Sequence, residues 1–125
     1  MDVKITTKRI MVVEDDEFSY LLLKTILEKE NLEVIRAVNG EEAMEIFSND
    51  PTIDLILMDL KLPGIGGLEV TQRIREINNN VPIIAETAYA LPHDREICLE
   101  AGCNDYLSKP IRRNNLLQTL YKYLL

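Results

Sequence analysis

Apolar runs of four to six residues alternate with longer amphipathic stretches along the whole chain. Ile10–Val13, Glu33–Ala37, Leu55–Met58, Val81–Ala85 and Asp105–Ser108 read as strands. Between them, Phe18–Glu30 has helical periodicity, with Leu22, Leu23, Ile26 and Leu27 on one face. Glu41–Ser48 is a helix introduced by Asn39-Gly40, and Leu68–Ile77 a helix closed by Asn78-Asn79-Asn80. Asp94–Ala101 ends at Gly102, a natural residue just past a helix. Arg112–Leu124 follows Pro110 as a last helix, with Leu117, Leu120 and Leu124 inward. Leu55–Met58 is apolar on both strand faces, which suits a parallel sheet covered on both sides.

Five consecutive βα units with right-handed crossovers place helices on both faces of one sheet. The expected fold is α/β, a five-stranded doubly wound parallel sheet of order 2-1-3-4-5, flavodoxin-like. In that order strand one lies beside strand three, and ligands bind at the carboxyl edge. Glu14-Asp15-Asp16 follows the first strand, Asp59 the third, Thr87 the fourth and Lys109 the fifth. The sequence thus aims a carboxylate pair, a lone Asp, a hydroxyl and an ammonium at one small volume. Carboxylates gathered at one edge repel, which raises a pKa or calls for a cation, and Mg²⁺ suits such a set. A cation and a hydroxyl donor facing carboxylates are what a phosphoryl oxyanion needs. Asp16 is explained by capping the following helix; Glu14, directly after strand residues, is not.

The chain has 125 residues and a net charge of −7. That is one domain's length, and the acidic balance argues against nucleic acid as a direct partner. No apolar run approaches the ~20 residues of a membrane span. Lys4, Lys8 and Arg9 have no signal core behind them, so a cytoplasmic location is expected. Cys98 and Cys103 match no zinc spacing and read as packing residues. His93, the only histidine, reads as a solvated loop residue and leaves no hydrolase triad.

VVEDDEF, LILMDLKLPGIGGLE, PIIAETAYA and AGCNDYLSKPI, in this order and spacing, closely resemble the receiver domain of bacterial response regulators. The likeness runs from about Arg9 to Leu125 and leaves residues 1–8 as an N-terminal extension or linker. It implies that Asp59 accepts a phosphoryl group from a histidine kinase or histidine phosphotransfer protein. It implies that Glu14, Asp15 and Asp59 hold Mg²⁺, with the backbone carbonyl of Lys61 as a further ligand. Thr87 and Lys109 would contact the phosphoryl group, and Tyr106 would move with Thr87 as a switch. A downstream protein would bind the face made by the fourth helix, fifth strand and fifth helix. The resemblance further implies a cis Lys109–Pro110 bond, and Gly67 matches the glycine of the loop after the phosphoacceptor. Two departures stand out. Gly66 occupies a position that is often acidic or amide. Glu86 replaces an apolar residue before Thr87; it is expected to leave the chemistry alone and to alter the partner-facing surface.

Other classes fit less well. A haloacid-dehalogenase-type phosphatase needs an acid/base Asp two residues after its nucleophile, where this chain has Lys61. A flavin mononucleotide carrier needs a Ser/Thr/Gly-rich phosphate loop, and Glu14-Asp15-Asp16-Glu17 would repel that phosphate. A phosphorylation-independent binding module would lack one of the key residues. Leu21, nearly opposite the centre of the first helix's core stripe, and Phe18, at its margin close to Asp15, are expected to dock the phosphodonor. The chain reads either as a stand-alone regulator or as a receiver cut from a hybrid histidine kinase.

Overall fold

A computed structural model describes residues 7–88 and 92–125. The elements run β1 (Arg9–Val13), α1 (Glu17–Lys29), β2 (Glu33–Ala37), α2 (Gly40–Asn49), β3 (Leu55–Asp59), α3 (Gly67–Ile77), β4 (Ile83–Thr87), α4 (Pro92–Ala101), β5 (Asp105–Ser108) and α5 (Arg113–Leu124). The strands are parallel in the order β2-β1-β3-β4-β5, as the sequence pattern requires. Val12, Leu57, Ile84 and Leu107 pack on one side with Leu23 and Leu27 of α1 and Leu116 and Leu120 of α5. Met11, Met58, Ile83 and Ala85 pack on the other with Phe47 of α2, Ile74 of α3 and Cys98 of α4. No helix of the described residues is long and apolar enough to cross a membrane.

Local chemistry sets the boundaries. Asp16 Oδ2 accepts from Ser19 N at 2.8 Å and starts α1; Asn39 Oδ1 accepts from Glu42 N at 2.8 Å and starts α2. Gly102, at φ +114°, ends α4, with Cys103 N donating back to Cys98 O at 3.0 Å. Asn31 does the same for α1 at φ 61°, and Leu32 N reaches Leu27 O at 3.2 Å.

Four expectations change. β4 begins two residues late, because Asn78 Oδ1 takes the N–H groups of Asn80 and Val81 into a turn and Pro82 has none to offer. α4 begins at Pro92, so His93 is solvated but helical. In α5 the fully buried residues are Leu116 and Leu120, while Leu117 and Leu124 are only half-buried. In α1, Leu22 is not a core residue: it is 42% exposed, and Tyr20 takes the inward position with Leu23, Ile26 and Leu27. Both cysteines are buried and unpaired, and burial pushes the Cys103 thiol up to about 11, consistent with packing alone.

Candidate functional site

Strand register and parity build the site. Val13 pairs with Met58, which sets Glu14 beside Asp59, and Asp59 pairs with Glu86. Side chains two residues apart share a sheet face. Val12, Leu57, Ile84 and Leu107 face α1 and α5, so Glu14, Asp59, Glu86 and Lys109 follow on that side. Thr87 has the parity of Ile83 and Ala85 and lies on the other side, where Tyr106 also packs.

The expected charges meet. Lys109 Nζ lies 3.1 Å from Asp59 Oδ2 and 3.4 Å from Glu14 Oε1. Carboxylate oxygens of Glu14, Asp15 and Asp59 all lie within 4.8 Å of one another. Oxygens on opposite sides of an octahedral Mg²⁺ are about 4.2 Å apart, so small side-chain adjustments would fit that ion. These residues, with Lys61 and Lys109, border an open cleft of about 480 Å³. Asp16 N donates to Glu14 Oε2 at 3.2 Å and Lys61 N to Asp59 Oδ1 at 3.0 Å, fixing both carboxylates from the backbone.

Glu14 and Asp59 are buried while Asp15 is exposed. Burial raises the Glu14 carboxyl to about 7, and neighbouring Asp59 adds to the rise against the pull of Asp16 N–H and Lys109. For Lys109, burial acts downward, but the Asp59 and Glu14 carboxylates outweigh it and hold its pKa above the ordinary value. The cluster carries more negative charge than one ammonium neutralises, which is the condition that draws a dication.

Glu86 departs most from expectation. It is 1% exposed and lies in the row of Asp59 and Lys109, not on a partner-facing surface. Neither carboxyl oxygen has a hydrogen-bond partner among the described residues. Burial raises this carboxyl to about 8, with Glu14 and Asp59 adding and Lys109 opposing. The cause is the length and place of β4: the strand runs on through Thr87 between β3 and β5, and its register with Asp59 carries Glu86 inside.

Thr87 is buried at the end of β4 and, with Asp59 and Lys109, lines a second opening of about 270 Å³. Lys109 N donates to Thr87 O at 2.7 Å, which ties the two strand ends together. The Lys109–Pro110 bond is cis, as the resemblance implied. Tyr106 is half-buried, with the Arg95 guanidinium 6.0 Å from its ring centre. Gly67 is needed for close approach: a Cβ there would collide with Asp59 O, so α3 rests directly on the strand that carries Asp59. On α1, Phe18 is 78% and Leu21 48% exposed. Phe18 and Leu22 border a shallow apolar hollow of about 160 Å³ with Pro110 and Ile111.

Comparison with known proteins agrees with this geometry. The family model described as the response regulator receiver domain matches residues 10–121. A polar-differentiation response regulator, DivK of Brucella anthropi, is 39% identical over 119 residues, covering 94% of this chain and 96% of that protein. Among solved structures, the receiver domain of sensor histidine kinase PA1611 from Pseudomonas aeruginosa has a magnesium ion coordinated in its active-site cleft. It superposes with a TM-score of 0.86 at 37% identity, covering 94% of this chain and 98% of that one. The receiver domain of Ssk1 from Saccharomyces cerevisiae, solved with the histidine phosphotransfer protein Ypd1, gives a TM-score of 0.88 at 30% identity, covering 94% and 88%. By fold, by the order of its site residues and by these matches, the chain belongs to the response regulator receiver domain family of two-component signalling.

Proposed function

We propose that this chain is a phosphoacceptor: Asp59 takes a phosphoryl group from a phosphohistidine on a histidine kinase or histidine phosphotransfer protein. The observation that carries this reading is the convergence at the sheet edge of Glu14, Asp15 and Asp59, with carboxylate oxygens within 4.8 Å of one another, and of Lys109, ion-paired to Glu14 and Asp59. Glu14, Asp15, Asp59 and the Lys61 carbonyl would hold Mg²⁺, which when bound supplies positive charge for the phosphoryl oxygens. An Asp59 carboxylate oxygen attacks phosphorus in line, the P–O bond forms as the P–N bond breaks, and the leaving imidazole takes up a proton. Lys61 N–H holds the other Asp59 oxygen and so leaves one oxygen to attack. Lys109 transfers its ion pair from Asp59 to the new phosphoryl group, and Thr87 donates to that group from the far side of β4. Tyr106 then repacks with Thr87, and a downstream protein reads the α4-β5-α5 face. The signalling role involves no turnover of a separate substrate. We assign residues 9–125 to the domain and 1–8 to an extension, of which 1–6 lie outside the described residues, and place the protein in the cytoplasm.

Intact mass after incubation with acetyl phosphate tests the assignment. Wild type with Mg²⁺ gains a phosphoryl adduct, and wild type in EDTA or Asp59→Asn does not. An adduct on Asp59→Asn at wild-type yield would remove Asp59 from the role.

For the donor we assign the apolar patch of Phe18 and Leu21 as the docking surface, extended by Leu22. Its support is that three large apolar side chains stand exposed on one helix beside the acidic cleft, where scattered single residues would need no explanation. Leu21→Lys is expected to slow transfer from the cognate phosphohistidine protein about tenfold while acetyl phosphate labelling holds. Equal slowing with both donors would assign Leu21 to the fold instead.

A further inference from the structure

Arg36, on edge strand β2, is drawn across the sheet edge toward the acidic cleft. Its Cα pairs with that of Val12, and its side chain turns over the β1–α1 turn. Nε and Nη2 each donate to Glu14 O at 3.3 Å, and Nη2 also reaches Asp15 O at 3.5 Å. Nη1 binds Glu17 Oε2 at 2.6 Å, and the guanidinium lies 4.3 Å from the centre of the Tyr20 ring. From the same strand, Ala37 O accepts from Glu14 N at 3.0 Å. Both backbone groups of Glu14, and the carbonyl of Asp15, are thus held by two adjacent residues of β2.

These are the carbonyls of two of the three residues whose carboxylates converge. A guanidinium fork is a rigid donor set: it holds two carbonyls and a carboxylate from three nitrogens fixed in one plane, whereas a lysine ammonium gathers its three donors at one point on a flexible stem. Tyr20 below and Glu17 beside it leave that fork one orientation. Ordering two acidic side chains before a cation arrives removes an entropic cost from binding.

We propose that Arg36 is a positioning residue for divalent cation binding: by clamping the backbone of Glu14 and Asp15 it sets their carboxylates in place and thereby sets the site's affinity for Mg²⁺. The proposal rests on reading the acidic cluster as a Mg²⁺ site. It makes a prediction opposite in sign to simple charge. A nearby cation repels Mg²⁺, so loss of the Arg36 charge should tighten binding if charge is all that matters.

The test is Mg²⁺ titration by calorimetry on wild type, Arg36→Lys and Arg36→Gln, with melting temperatures in EDTA. Arg36→Lys keeps charge and stem and loses the fork; Arg36→Gln loses both. Both are expected to bind Mg²⁺ about tenfold more weakly, with melting in EDTA within a few degrees of wild type. Affinity at or above the wild-type value in Arg36→Lys would overturn the proposal, and so would an Arg36→Lys protein unfolded in EDTA, which would assign the residue to the fold. A wild-type protein that takes no Mg²⁺ would instead remove the metal reading beneath it.

Discussion

Glu86→Gln is expected to melt roughly 15 to 20 °C above wild type at pH 8.5 in the absence of metal, and close to wild type at pH 5. The carboxyl titrates near 8 in the folded chain against an ordinary 4.5. A carboxylate raised in this way costs nothing below the unfolded value, where both states are protonated. From about pH 4.5 the unfolded chain releases its proton and the folded chain keeps it, so stability falls until about pH 8 and then levels off. At ~1.4 kcal/mol per pH unit over these three and a half units the full loss is on the order of 5 kcal/mol. Glutamine has nearly the same volume and no charge. Its amide is as poorly partnered as the protonated acid, so it gains only where the acid would ionise. Thermal melts from pH 5 to 9 in EDTA check this. A melting difference that does not change with pH would mean that Glu86 is not the group that titrates.

Lys109→Met should have the opposite sign and a comparable size. Lys109 is the one cation within ion-pair distance of Asp59 and Glu14 among the described residues. Removing one partner of a buried pair leaves the other charge uncompensated, at a cost of about 3 kcal/mol here. At pH 8 the metal-free variant is expected to melt roughly 10 °C below wild type. At pH 5 Glu14 and Glu86 hold their protons, less negative charge is left without a partner, and the gap narrows. Mg²⁺ should narrow it too, since a dication in the cleft replaces the missing ammonium. Phosphorylation should not recover with it, because the proposed contact of Lys109 with the phosphoryl group is still missing. Coincident melting curves at pH 8 would show that the ammonium is dispensable to the apo site.

These two residues also mark what sequence alone can and cannot show. Glu14, Asp59 and Lys109 were legible because each follows an apolar run at a strand end, and the strand order then brings them together. Glu86 was not legible. A charged residue after Ile83-Ile84-Ala85 reads as the point where a strand emerges into solvent, and only the register with Asp59 shows that it stays inside. Leu22 failed for a related reason. Periodicity locates an apolar stripe to within a residue, and that Tyr20 rather than Leu22 turns inward shows only in contacts between elements: Tyr20 joins the cluster of β1, β3 and α5, with the Arg36 guanidinium over its ring. Arg36 itself looks like any solvated residue of an edge strand until the turn it reaches is seen.

The alternation of side chains along β4 limits how this gene can change length. Glu86 and Thr87 face opposite layers, so one codon gained or lost inside β4 would exchange them. A hydroxyl would enter the row of acids, and a carboxylate would take the place of Thr87. The same change at 50–54 or 78–80, in turns at the opposite edge of the sheet, leaves every site residue where it was. Homologues that differ in length should therefore differ in those turns, with the spacing inside the strands that carry Asp59 and Thr87 held fixed.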